Sequence, residues 1–143
     1  MKGRVEFEQI ASDVPESSGI YEIHTHCGTP LKVGIAKNLK RRLASHFVSR
    51  QSGLKAKVRG TSSWSCPSEV VSKASILAKH LYFDRAISSA CSLLTEDGRR
   101  SFLSSSCYIE FEPLPLELAK KQERVREQSG TFRYFGRVRV LRI

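Results

Sequence analysis

The segment Gly19 to Phe47, GIYEIHTHCGTPLKVGIAKNLKRRLASHF, constrains the fold more than any other part of the chain. Gly19 to His24 alternates apolar and polar residues and is rich in β-formers. Leu31 to Gly34 is a second short strand, and Cys27-Gly28-Thr29-Pro30 between them is turn chemistry. Asn38 can cap a helix that begins LKRRLASHF. Leu39, Leu43 and Phe47 recur at every fourth position, which makes one buried helical face. Arg42 and His46 are also four apart, on a face beside that stripe. The segment therefore reads as a hairpin followed by a basic helix packed against it.

The remaining chain extends this unit. From Gln51 to Pro67 the composition turns to Ser, Gly, Lys and Arg, as in a basic connecting segment. SEVVSKASILAKHLYFDRAISSA, from Ser68, has apolar residues at helical spacing and predicts one or two helices. EDGRRSFLSS predicts a shorter helix, with a turn near Asp97-Gly98. CYIEFEPL, from Cys107, predicts a strand closed by Pro113 and Pro115. ELAKKQERVREQS predicts a helix whose inner stripe is Leu118, Ala119, Gln122 and Val125, with Gly130 at its stop. FRYFGRVRVLRI alternates like a last strand. The expected architecture is α+β: a small, mostly antiparallel sheet flanked by helices, with residues 50–105 as a basic and helical insertion in a single domain over 1–143.

Charge narrows the partners. Across 143 residues, 24 Lys and Arg face 14 Asp and Glu, for a net charge of +10 and a pI near 9.8. Such a balance favours a polyanion, with nucleic acid ahead of an acidic membrane surface. The four cysteines, Cys27, Cys66, Cys91 and Cys107, are widely scattered, unlike a zinc ribbon or a secreted disulfide framework. They read as buried free thiols in a reducing compartment. MKGRVEFEQIASD lacks the apolar core of a secretory signal, and no apolar run approaches the about 20 residues needed to span a bilayer. The expected location is cytoplasmic, with nucleoid association compatible.

Three motifs then meet the demands of phosphodiester cleavage. A nucleophile must be activated, and charge must be neutralised at phosphorus. Gly19-Ile20-Tyr21 places a phenol mid-strand, and Lys32-Val33-Gly34 follows on the second strand. AKNLKRRLASHF then presents Arg42, whose planar fork of donors suits phosphate oxygens, and His46 one turn on. In order and spacing these resemble the GIY-YIG nuclease superfamily, in particular its stand-alone bacterial domains. The resemblance covers the front third and the last 30 residues. It implies a metal-dependent endonuclease acting on DNA, with Tyr21 as the proposed general base and Arg42 as the catalytic arginine. His46 falls at a position the family fills with His or Tyr. The second motif departs from Tyr-Ile-Gly at Lys32, which either supplies a cation to the phosphate or marks a lost activity. Ile35 also stands where some members carry lysine.

The resemblance further implies one Mg²⁺ or Mn²⁺ held by a helical glutamate. That residue is Glu123, seven before Gly130 in QERVREQSGTFRYFGRV, with Glu117 and Glu127 as alternatives. Mg²⁺ prefers oxygen ligands and retains waters, so one carboxylate plus phosphate oxygens can hold it. The family's asparagine near the following strand has no counterpart among Arg133, Tyr134 and Phe135. Arg41, Lys37 and Lys40 on the helix, and Lys55, Lys57 and Arg59 in the basic segment, are expected on backbone phosphates, with Trp64 able to stack a base. His24, His26 and Cys27 lack a second ligand cluster and read as hairpin residues, and His80 reads as structural. The competing readings are an inactive nucleic-acid-binding module on the same scaffold and a basic adaptor for a protein or acidic lipid. No separate recognition domain is evident in the sequence, so a partner protein or homo-oligomer is a candidate for targeting.

Overall fold

A computed structural model describes residues 3–48, 54–56, 70–72, 76–84, 86–87, 93–135 and 139–140. Its frame is a four-stranded antiparallel sheet of β1 (Gly3–Glu6), β6 (Cys107–Pro113), β2 (Gly19–Thr25) and β3 (Pro30–Ala36), in that spatial order. The β2–β3 hairpin forms as its alternation predicts. Tyr21 lies opposite Gly34 and Ile23 opposite Lys32, with a bulge at Ile23/His24 before the turn. β2 is central because it also pairs along its whole length with β6. β1 is a further edge strand on β6, with Val5 opposite Ile109.

Helices cover both faces. On one side, α1 (Ile10–Asp13), α2 (Leu39–Val48), α3 (Ile76–Phe83) and α4 (Glu96–Ser106) contribute to the main core. Leu39 and Leu43 meet Tyr21, Ile23 and Phe111 there, as their fourfold spacing predicts. Asn38 caps α2, its side-chain oxygen accepting from the Arg41 amide at 3.0 Å. On the other side, α5 (Leu116–Gln128) sets Ala119 against Ile20, Val33 and Phe132.

Several expectations change. Leu54–Ala56 (β4) and Val70–Ser72 (β5) pair as an antiparallel ribbon where a connecting segment and a helix were expected. The Val70-Val71 pair is β-branched and suits a strand better than a helix. The helix in that region is confined to α3 among the described residues. Asp97-Gly98 is no turn but the first turn of α4, because Thr95 accepts from the Gly98 amide at 3.0 Å and caps it. The last strand is two short ones, β7 (Tyr134–Phe135) and β8 (Arg139–Val140), paired antiparallel. Leu118 and Val125 face outward on α5, at 43% and 68% exposure. The inward face instead carries Arg126, which donates to Glu22 of β2 at 2.8 Å. Ionic contact, not an apolar stripe, orients that part of the helix. Cys107 is a buried thiol as expected, but Cys27 is exposed at the hairpin turn.

The segment after α5 crosses the sheet at the β3 edge. Phe132 belongs to the α5-side cluster and Tyr134 to the main core, while the Arg133 amide donates to the Pro30 carbonyl at 2.9 Å. Arg133 and Tyr134 then anchor α3. Both Asp84 oxygens accept from the Arg133 guanidinium, at 2.5 and 2.8 Å, and Oδ2 also accepts from the Tyr134 hydroxyl at 2.7 Å. Burial pushes the Asp84 carboxyl up, but these bonds outweigh it and hold it below its ordinary value. Breaking a buried pair of this kind leaves one charge uncompensated. Asp84→Ala is therefore expected to destabilise the fold by about 3–5 kcal/mol in denaturant unfolding; a loss under about 1 kcal/mol contradicts the anchoring role.

Candidate active site

The residues singled out in the front third converge. Tyr21 is fully enclosed, and its hydroxyl lies 2.7 Å from Nε2 of His46, which has no exposed surface. The two rings tilt together with centroids 5.6 Å apart. This contact depends on Gly34. A Cβ built there would sit 2.5 Å from Cζ of Tyr21 and closer still to its hydroxyl. The phenol thus lies flat across the opposite glycine and reaches α2. Gly19 is equally constrained, with the Leu39 side chain 2.7 Å from any Cβ it carried.

Electrostatics define the protonation states. Burial raises the Tyr21 phenol to about 12, opposed by the adjacent Arg42 guanidinium and reinforced by the Glu123 carboxylate. Burial lowers His46 well below its ordinary value, and the cations Arg42 and Lys32 lower it further. His46 is therefore a neutral imidazole near pH 7, and its tautomer sets which of the two partners donates in the 2.7 Å bond to Tyr21. Lys32 is only 7% exposed. Burial lowers its ammonium, while Glu127 and Glu123 raise it. Glu123 is half-buried, and burial together with Glu127 raises its carboxyl, with Lys32 opposing.

Tyr21, Lys32, Arg42, His46 and Glu123 thus act on one another electrostatically. β3 is the edge strand, so side chains of α2 and α5 can meet around it. Of the alternative glutamates, Glu127 joins the group and Glu117 does not, pairing with Lys120 in solvent. Arg126 takes Glu22 and Gln122 as partners, at 2.8 and 2.7 Å. Beside the site, Ile35, Lys37, Asn38, Arg41, Arg42 and Ser45 line a groove of about 390 Å³. Lys40 lies outside it. The side chain of Lys55, and all of Lys57, Arg59 and Trp64, lie outside the described residues.

The donor set fits a hard divalent cation. Glu123 and Glu127 are one turn apart, and a cation there would relieve the repulsion that raises the Glu123 carboxyl. Among the described residues no group of three or more His, Cys, Asp or Glu forms a cage. A cation would therefore take carboxylate oxygens of α5 and complete its shell with water and phosphate oxygens, as Mg²⁺ does.

Sequence reasoning missed His80 and Asp84. His80 is 1% exposed and stacks on Tyr134, with centroids 5.1 Å apart and planes at 15°. Burial and the cations Lys32 and Lys79 keep it neutral, and a proton on it would lower His46 further. A lone histidine on an apolar stretch carries no signal of this in sequence. No protein-family model matches the chain, nor does a curated protein or a solved structure.

Two outcomes follow from this geometry. Gly34→Ala must displace the Tyr21 ring; it is expected to cost about 1–3 kcal/mol of stability and to shift the His46 ring resonances in NMR. The second concerns pH. Burial lowers both His46 and His80, the latter to about 3. Below about pH 6.5 the unfolded chain takes up protons that the native state refuses, so stability is complete above 6.5 and falls beneath it. Denaturant unfolding at pH 7, 6 and 5 should show a loss of up to about 1.4 kcal/mol per pH unit for each buried imidazole. An unchanged free energy across that window would contradict neutral, buried rings.

Proposed function

We propose that the chain is a divalent-metal-dependent endonuclease that hydrolyses phosphodiester bonds in DNA, of the kind its GIY-YIG resemblance implies. The observation that carries this reading is the buried Tyr21–His46 hydrogen bond, 2.7 Å long, with the Arg42 guanidinium acting on both groups. A phenol held near 12 is a weak base alone. Coupled to a neutral imidazole, it can accept a proton from water on one side and pass its own to Nε2 on the other. Burial, and after it the cations Arg42 and Lys32, keep that imidazole a poor base in the free protein. A bound phosphate offsets their field and makes His46 a better acceptor when substrate is present.

The other groups serve the phosphate. The Arg42 guanidinium, on the groove wall, pairs with non-bridging oxygens and stabilises charge that grows in the transition state. Lys32 adds a second cation from the sheet edge. Glu123, with Glu127 beside it, is the group that would hold Mg²⁺ or Mn²⁺, which when bound neutralises phosphate charge as a Lewis acid. Lys37 and Arg41 in the groove extend the cationic track for a DNA backbone, and Lys40 adds charge on the same helix.

Cleavage of supercoiled plasmid and single-stranded DNA with Mg²⁺ or Mn²⁺ tests this reading. Arg42→Ala and Glu123→Ala should fold and lose on the order of 10²–10³ in rate. Near-wild-type turnover in either folded variant removes that residue from the mechanism. Absent wild-type cleavage, with binding that weakens steeply as salt rises, identifies an inactive nucleic-acid-binding module instead.

A further inference from the structure

From Lys120 to Gln128, α5 turns no apolar residue toward the sheet. Gln122, Glu123, Arg126 and Glu127 are half-buried there, while Val125 and the charged residues between them are exposed. The helix fully buries Ala119 alone, in its first half. One methyl against Ile20, Val33 and Phe132 does little to fix the rotation of the helix about its own axis.

Arg126 supplies what the apolar contact lacks. Its Nη1 donates to Oε2 of Glu22 at 2.8 Å, and its Nη2 donates to Oε1 of Gln122 at 2.7 Å. Glu22 is itself held in place. Its Oε1 accepts from Nε2 of His24 at 2.9 Å, and that ring stacks on Tyr108 with centroids 5.3 Å apart. Glu22 lies on β2, opposite Val33 on one neighbouring strand and Glu110 on the other. The planar guanidinium thus ties the second half of α5 to a strand paired on both sides. An apolar side chain at this position would pack without desolvating a charge, whereas the ion pair selects one geometry.

The carboxylates of the candidate cation site share this part of the helix. Glu123 follows Gln122, and Glu127 follows Arg126. Over so few residues an α-helix moves as a rigid cylinder. A roll that breaks the Arg126–Glu22 pair therefore also shifts Glu123 and Glu127 against Lys32 of β3.

We infer that Arg126 is a positioning residue of the candidate active site: paired to Glu22, it sets the rotation of α5 at which Glu123 and Glu127 hold a divalent cation. The pairing is a contact of the structure, and its consequence rests on the metal-dependent reading above. Arg126 is no ligand, and its own charge opposes a cation. By charge alone its removal tightens cation binding; by loss of position its removal weakens it. The sign of the change separates the two effects.

Mn²⁺ titration of the full chain without DNA tests this, read from paramagnetic broadening of the Glu123 and Glu127 amide signals. Arg126→Met should fold and need on the order of tenfold more Mn²⁺ than wild type. Arg126→Lys, which keeps the charge and loses the fork, should also bind more weakly. Glu22→Gln should match Arg126→Met, and the double variant should be no weaker than either, because both remove one contact. DNA cleavage should fall in these variants at low Mn²⁺ and return at saturating Mn²⁺. Equal or tighter Mn²⁺ binding in folded Arg126→Met overturns the positioning role, even where thermal stability falls. If that variant does not fold, wild-type Mn²⁺ affinity in Arg126→Lys overturns it equally. Wild-type Glu123 and Glu127 signals that ignore Mn²⁺ overturn the inference, while metal-dependent cleavage by the same protein keeps the nuclease reading. A wild-type protein that cleaves no DNA, yet binds Mn²⁺ with the expected dependence on Arg126, overturns the nuclease reading and leaves the positioning role standing.

Discussion

The passage of the Tyr21 ring across Gly34 is the contact on which the site depends. The hydrogen-bond ladder fixes the spacing of two antiparallel strands, so facing side chains must share what room it leaves. Here one partner has no side chain, and Cζ of the tyrosine would lie 2.5 Å from any Cβ at that position. The ring therefore lies over the backbone of β3 and not beside it. That placement delivers the hydroxyl to α2, where His46 sits one turn after Arg42. A glycine in the second motif is thus a steric requirement of a tyrosine in the first.

Burial then sets the chemistry of the groups that meet there. Desolvation favours the neutral form of every one of them: it raises Tyr21 and Glu123 and lowers Lys32 and His46. Opposite charges offset this in part, Arg42 for Tyr21 and the two glutamates Glu127 and Glu123 for Lys32. The imidazole receives no such compensation, because the charges acting on it are cations. The free site is thus short of negative charge on its α2 face.

The hairpin, its helix and the strand at Cys107 were legible because each has a strong local signal. Alternation marks β2 and β6, the fourfold leucines mark α2, and Asn38 marks its start. The convergence of Tyr21, Arg42 and His46 follows from those elements, so it too was legible. The inner face of α5 was not. Hydrophobic periodicity points to Leu118 and Val125, but the helix turns Arg126 inward to a partner 104 residues away in sequence. Long-range ion pairs leave no periodic trace. The same holds for Asp84 with Arg133 and Tyr134, whose joint burial depends on how the chain crosses the β3 edge.

That crossing changes how the middle of the chain relates to the site. α3 is tied to Arg133 and Tyr134 through Asp84, and the Arg133 amide is tied to the first residue of β3. Lys32, two residues along β3, is left with 7% of its surface exposed. An edge-strand lysine ordinarily lies in solvent, where its charge is screened. Packed beside β7 and α5, the same buried ammonium acts through a low dielectric on the imidazoles and the carboxylates around it. α3 is thereby tied, through Asp84 and Arg133, to the β3 edge that carries Lys32. The cation at position 32 is faced from α5 by Glu123 and Glu127, which offset part of the cost of its burial.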